Sequence, residues 1–177
     1  MRVATGIAAC LAALLSLAPV HAAGDATAFE RLSRALAGTW RIVERIEPST
    51  HLPKGEDDVG QEVWTLQAGG VGLSELYRAG SGKDAVTDYA LIWWDATVAS
   101  MRGVFCADFV AQGCSPFSIA MHGNDFVFDG EYDGGSAHYR WREIFSIGAD
   151  RFTQVLLLAN GHDELKLAST IHGARRH

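Results

Sequence analysis

NDFVFDGEYDGGSAHYRWREIFSI, residues 124–147, decides the fold. Two runs rich in Val, Ile, Phe, Tyr and Trp, 124–132 and 136–147, flank Gly134-Gly135. Adjacent glycines mark a chain reversal, so the stretch reads as two neighbouring antiparallel strands. Within 136–147, Tyr139, Trp141, Glu143, Phe145 and Ile147 share one face, and His138, Arg140 and Arg142 share the other. A strand alternates faces with a period of two, so the apolar face points into a core. One position on that face is an acid, Glu143. A buried carboxylate is costly unless paired or hydrogen-bonded, so the position invites a question.

The same period runs outward from this hairpin through most of the chain. Further strands are expected at 39–47, 61–68, 71–79, 86–95, 98–106, 116–121, 150–159 and 164–172. Turn signals separate them: Gly69-Gly70, Gly80-Ser81-Gly82, Gly123-Asn124 and Gly161. These turns are too short for crossover helices. About ten consecutive short strands therefore imply an all-β, antiparallel up-and-down barrel, whose closure removes exposed strand edges. In 39–47, Trp40, Ile42, Glu44 and Ile46 share the inward face, opposite Arg41, Val43 and Arg45. In 164–172, Leu165, Leu167 and Ile171 face one way, and Glu164, Lys166 and His172 the other. Glu44 joins Glu143 as an acid on an apolar face.

Ahead of the strands lies one short helix. Asp25 or Thr27 can cap it, Thr27 and Glu30 have capping-box spacing, and Phe29, Leu32 and Leu36 form one apolar stripe. Gly38 is placed to end it. Earlier still, Met1-Arg2 is a short basic start and Val3–Leu17 an uncharged Ala/Leu-rich run, broken by Pro19. Val20-His21-Ala22 puts small residues at the −3 and −1 positions. This is the pattern of a secretory signal peptide over 1–22, cleaved after Ala22, with Ala23 the next choice. The apolar run is short for a membrane-spanning helix. Ile7-Ala8-Ala9-Cys10 has the look of a lipoprotein box, but it sits near the start of the apolar run rather than at its end. The expected mature protein is a single barrel domain over 23–177, periplasmic or secreted.

Formal net charge is −6, without a Lys/Arg run; Arg175-Arg176 is only a pair on a tail. Nucleic acid and anionic membrane are therefore poor partners, and no membrane span is expected in the mature chain. Once Cys10 leaves with the leader, Cys106 and Cys114 remain. In an oxidising compartment such a pair suggests a disulfide worth roughly 2–3 kcal/mol. Two free buried thiols are the alternative. His122 has no spaced partner, so no metal site is expected.

Short stretches in order along 35–172 resemble a known family. Leu36-Ala37-Gly38-Thr39-Trp40 is similar to the Gly-x-Trp opening of calycin-type barrels such as lipocalins. Ile92-Trp93-Trp94-Asp95, Arg102-Gly103, Phe128-Asp129-Gly130, Tyr139-Arg140-Trp141 and Asp150-Arg151-Phe152 resemble a family of small secreted bacterial proteins of unknown function with a lipocalin-like barrel. The resemblance implies a fold and no defined activity. Haem-handling cousins have a glycine-rich Gly-x-Trp-x-Gly-x-Gly opening and a late His ligand. Here Gly38-Thr39-Trp40-Arg41-Ile42-Val43 lacks the later glycines, and His172 falls with Lys166 on the outer face. No cofactor is therefore implied.

Catalytic signatures are missing. There is no Gly-x-Ser-x-Gly, no phosphate loop and no His-x-x-x-His. His51 and His162 fall in expected loops, as do Asp57-Asp58 and Asp84, and solvated loop charge accounts for them. The aromatic load is the suggestive feature, because aromatic walls with a few polar groups make small-molecule pockets. Trp64, Tyr77, Tyr89, Trp93 and Trp141 are the candidate lining, with Arg102 and Glu143 as polar contributors. The same aromatics could simply fill a core, and an Arg–Glu pair could be a structural tie. The leading expectation is a barrel binding a small hydrophobic or amphipathic ligand. The alternatives are an enzyme using Glu143 or Glu44 as acid–base, or an envelope protein-interaction module. The charged outer faces of 39–47 and 136–147 weigh against the last.

Overall fold

A computed structural model describes residues 22–49, 53–80 and 85–177. All but Ala22 of the expected leader over 1–22, together with His51, Asp84 and most of the Gly80–Gly82 turn, lie outside them. Helix α1 (Ala22–Leu36) precedes ten strands: β1 (Gly38–Ile46), β2 (Glu56–Leu66), β3 (Gly72–Ala79), β4 (Val86–Asp95) and β5 (Ser100–Ala107) come first. They are followed by β6 (Cys114–His122), β7 (Asp125–Asp133), β8 (His138–Ile147), β9 (Arg151–Asn160) and β10 (Lys166–Arg175). Each strand pairs antiparallel with its sequence neighbour, and β1 pairs with β10 to close the barrel. The expected up-and-down barrel is the observed fold.

Closure is sealed at one end. Phe29, Leu32 and Leu36 are buried on one stripe of α1, which packs near β4 and β5. Trp40 is fully buried, and its Nε1 donates to the Leu36 carbonyl at 2.7 Å. Arg175, from the last strand, lies 4.2 Å over the Trp40 ring. Its Nη1 and Nη2 donate to the carbonyls of Ala37 and Ala35, each at 2.6 Å. Those carbonyls belong to the helix C-terminal region, where a cation is favoured. Gly38, at φ 133°, turns the chain from helix into strand, as residues with a Cβ rarely can.

Inward glycines make room for the large aromatics. Gly103 pairs with Phe117, Gly130 with Trp141, and Gly173 with Phe152. A Cβ on each glycine would come within 2.2, 2.6 and 2.1 Å of its partner's ring. Each ring thus lies over the backbone of a glycine on the next strand. On the outer face, Cys106 and Cys114 are cross-strand partners joined by a disulfide.

Three expectations need correction. Helix α1 starts at Ala22, so Asp25 and Thr27 both lie inside it rather than at its cap; the preceding alanines are themselves strong helix formers. Strand β2 starts at Glu56, so Asp57 and Asp58 belong to a strand and not a loop. Asp57 faces out, where Arg45 on the paired strand meets it at 3.1 Å. Leu167 is exposed and does not share the face of Ile171, because a bulge between Leu167 and Ser169 reverses the alternation.

Replacing Arg175 by Met keeps the aliphatic stem and removes the cation and its two helix-capping bonds. The expected loss is about 2–4 kcal/mol of unfolding free energy, measured by urea denaturation. A loss below about 0.5 kcal/mol would show that the floor holds without it.

Candidate functional site

The barrel interior is not filled. A cavity of about 260 Å³ runs from the aromatics above the floor to the opposite rim, close to the lower end of the usual ~300–1,000 Å³ range for small-ligand sites. Ile46, Ala79, Val86, Phe109 and Leu158 line it towards that rim. They border the loops joining β1–β2, β3–β4, β5–β6 and β9–β10. Phe109 sits in the loop that the disulfide closes, and its ring meets Tyr132 edge-on at 5.5 Å.

The walls differ in chemistry. Strands β5 to β7 contribute Phe105, Phe117, Phe128 and Tyr132. Phe105 meets Trp141 at 5.4 Å and Phe117 stacks near Phe128 at 5.8 Å. Strands β1 to β4 contribute acids. Glu44 pairs with Asp58 across β1–β2, Glu62 with Tyr77 across β2–β3, and Tyr77 with Asp88 across β3–β4. Glu75 lies opposite Trp64, and Glu143 enters from β8. Five of these six acids line the cavity; Glu62, on the same face of β2 as Trp64, is fully buried and does not line it.

Partners are few. The Tyr77 hydroxyl donates to Glu44. Trp64 Nε1 donates to Glu62 Oε2 at 2.9 Å, while Glu62 Oε1 has no partner. Among the described residues no Lys, Arg or His forms an ion pair with any of the six; the ion pairs lie elsewhere on the barrel and helix. Three further buried polar atoms on the cavity wall are unpartnered: Trp141 Nε1, Gln154 Oε1 and Ser169 Oγ.

Proton affinity follows. Burial pushes the Glu143 carboxyl up to about 8, and the charges of Asp88 and Glu62 add to it, while the Gln154 amide pulls the other way. Burial, reinforced by neighbouring acids, also raises Glu62, Glu75 and Asp88 above the usual carboxylate range. Glu75, Asp88 and Glu143 are half-buried and line the cavity. Burial of Tyr77 likewise raises its hydroxyl, so it stays a donor to Glu44.

Of the residues singled out from sequence, Trp64, Tyr77, Trp141 and Glu143 line the cavity. Tyr89, Trp93 and Arg102 do not. Tyr89 and Trp93 alternate with the buried Ala90 and Ile92, so both face outward. Arg102 is exposed beside Asp95 at 3.8 Å, so it supplies neither a pocket group nor a tie to Glu143. His172 is also exposed, near Thr153 on the outer wall. Asp58, Glu62, Glu75 and Asp88 were missed. Their signal was present: Glu62 alternates with Trp64, Glu75 with Leu73 and Tyr77, and Asp88 with Ala90 and Ile92.

No protein-family model matches the chain, and no curated protein matches it. Solved structures share the fold, among them the following two. The crystal structure of Rv2717c from M. tuberculosis superposes with a TM-score of 0.60 at 10% identity, covering 86% of this chain and 99% of that one. The S-type phycobiliprotein lyase CPES from Guillardia theta gives 0.54 at 11% identity, covering 84% and 92%. Both likenesses concern the fold.

Stability should depend on pH through the interior acids. The folded-state pKa values of Glu62, Glu75, Asp88 and Glu143 lie above those of an unfolded chain, so the folded state binds more protons at these four. Their contribution is complete below the ordinary value of 4.5 and is lost as pH rises through about 8. The melting temperature, followed by circular dichroism, should therefore fall from pH 6 to pH 9. Glu143→Gln should flatten that fall and exceed the parent at pH 9 by about 2–4 kcal/mol. A variant less stable than the parent at pH 9 would mean that an ionised Glu143 is held by the fold.

Proposed function

We propose that this protein is an exported barrel that binds a small, partly apolar molecule inside its closed-bottomed cavity. The observation that carries this is the cavity itself: about 260 Å³ of interior space above a sealed floor, walled by aromatic rings and by polar atoms that no protein group satisfies. A barrel selected only for stability would fill such space, since empty apolar volume destabilises and buried unpaired polar groups do so further. Trp64, Tyr77, Trp141 and Glu143 are the contact residues this reading keeps from the sequence. The likeness to an S-type phycobiliprotein lyase supports it only at the level of the shared fold.

Export is the second half of the proposal. It rests on the leader-like 1–22 segment and is supported by the disulfide, a bond that persists in oxidising compartments. Among the described residues no helix is long and apolar enough to cross a membrane.

Titration with the neutral fluorophore N-phenyl-1-naphthylamine tests the cavity. Binding should raise its emission and saturate at one site, with a Kd in the micromolar range. Ile46→Trp at the rim should weaken binding about tenfold or more while the circular dichroism spectrum is unchanged. No saturable binding, or equal binding to the folded variant, would overturn the reading. Native mass spectrometry of protein purified from its own host would then report whether any molecule is carried.

A further inference from the structure

We infer that the occupant of this cavity is an organic cation, a primary amine on an apolar or aromatic frame, held by the interior acids and the aromatic wall. The inference rests on the binding reading above and names its ligand class. Five carboxylates from β1, β2, β3, β4 and β8 line one cavity, with Glu62 of β2 buried near them, and among the described residues no basic side chain forms an ion pair with any of the six. Such an arrangement is unfavourable in the empty protein, since each ionised group is desolvated and repelled by the others. A cation entering the cavity reverses the sign of every one of those interactions.

A second observation points the same way. Gln154 is more than nine-tenths buried, lines the cavity, and leaves Oε1 without a donor. Ser169 Oγ on the next strand is likewise buried and unpartnered. The Gln154 acceptor left open beside carboxylates asks for an N–H group, which a primary ammonium has and a quaternary one lacks, and the Ser169 hydroxyl can accept one as well. The aromatic faces of Phe105, Phe117 and Trp141 offer the complementary contact, apolar for the frame and attractive to positive charge. A metal ion is the poorer fit: among the described residues no three His, Cys, Asp or Glu side chains gather closely enough to hold one. The acids are spread around a cavity, which suits a charge carried on a bulky frame.

Titration supports this without carrying it. The titratable groups facing the cavity are the acids Glu44, Asp58, Glu75, Asp88 and Glu143, with Glu62 buried near them; Tyr77 and Tyr132 are the phenols. Strands β5, β6, β9 and β10 add none. Burial makes Glu62, Glu75, Asp88 and Glu143 retain protons near neutrality. An arriving cation favours their ionised forms, so binding expels protons and tightens as pH rises from 6 to 9.

Tryptamine and tryptophol test this, because they share an indole frame and differ in bearing an ammonium or a hydroxyl. Calorimetric titration of the full chain at pH 7.5, in two buffers of different ionisation enthalpy, reads affinity and proton release together. The expected result is an amine affinity about tenfold or more above that of the alcohol, with net proton release. Glu143→Gln and Glu75→Gln should each shrink the ratio between the two ligands. Equal affinities, or tighter alcohol, would overturn the cation and leave the binding cavity standing. Failure of both indoles while N-phenyl-1-naphthylamine binds would also overturn it. Failure of all three would overturn the cavity reading itself.

Discussion

Arg175 against Trp40 is the contact on which the rest of the molecule depends. It joins three things that the chain separates widely: the end of the helix, the first strand and the last strand. The guanidinium satisfies two carbonyls near the helix C-terminus while covering an indole that itself bonds to Leu36. The seam between β1 and β10 and the floor of the barrel are thereby one structure. Without a floor, a ten-stranded barrel is an open tube that water threads from both ends, and its interior groups behave as surface groups. With the floor in place, the interior becomes a site with a single approach.

That distinction gives the interior acids their meaning. On the outer wall, carboxylates meet arginines: Asp57 meets Arg45, and Asp129 holds Arg142 through both oxygens at 2.7 and 3.2 Å. Exposed pairs of this kind contribute little to stability. Inside, the acids have a tyrosine, a tryptophan and a glutamine for company, and their desolvation is large. The aromatic packing makes the space they face. Gly103, Gly130 and Gly173 let the rings of Phe117, Trp141 and Phe152 approach the backbone of the neighbouring strand more closely than a Cβ would allow. Larger residues at those glycines would push the rings inward and consume the cavity.

Period and turn chemistry carried most of the fold. Ten strands, their order and the disulfide partners were legible because each depends on residues close in sequence. The candidate site was legible only where a face was followed along a whole strand. Trp141 and Glu143 emerged in that way. Tyr89 and Trp93 were chosen for being aromatic, yet their neighbours Ala90 and Ile92 show which side of β4 is inward. Size is a weaker guide than parity, since a barrel exposes half of every strand. Leu167 shows the limit of parity as well. One extra residue at Ala168 exchanges the faces, and nothing in its local sequence announces the bulge. Asp57 and Asp58 looked like loop charge because strand propensity is low for Asp, but a cross-strand arginine and the cavity overrode it.

The distribution of charge around the barrel also sets how an occupant would lie. Acids enter from β1, β2, β3 and β4, and aromatic rings alone from β5, β6 and β7. Glu143 on β8 sits beyond that aromatic wall, with Gln154 of β9 at its side. An apolar molecule would find one half of the cavity suitable and the other half wet and acidic. A compact ion would find the reverse. Only a molecule with both characters satisfies the two walls together, and the sealed floor allows it a single direction of entry. The proposed binding therefore rests on the asymmetry of the walls more than on the number of carboxylates.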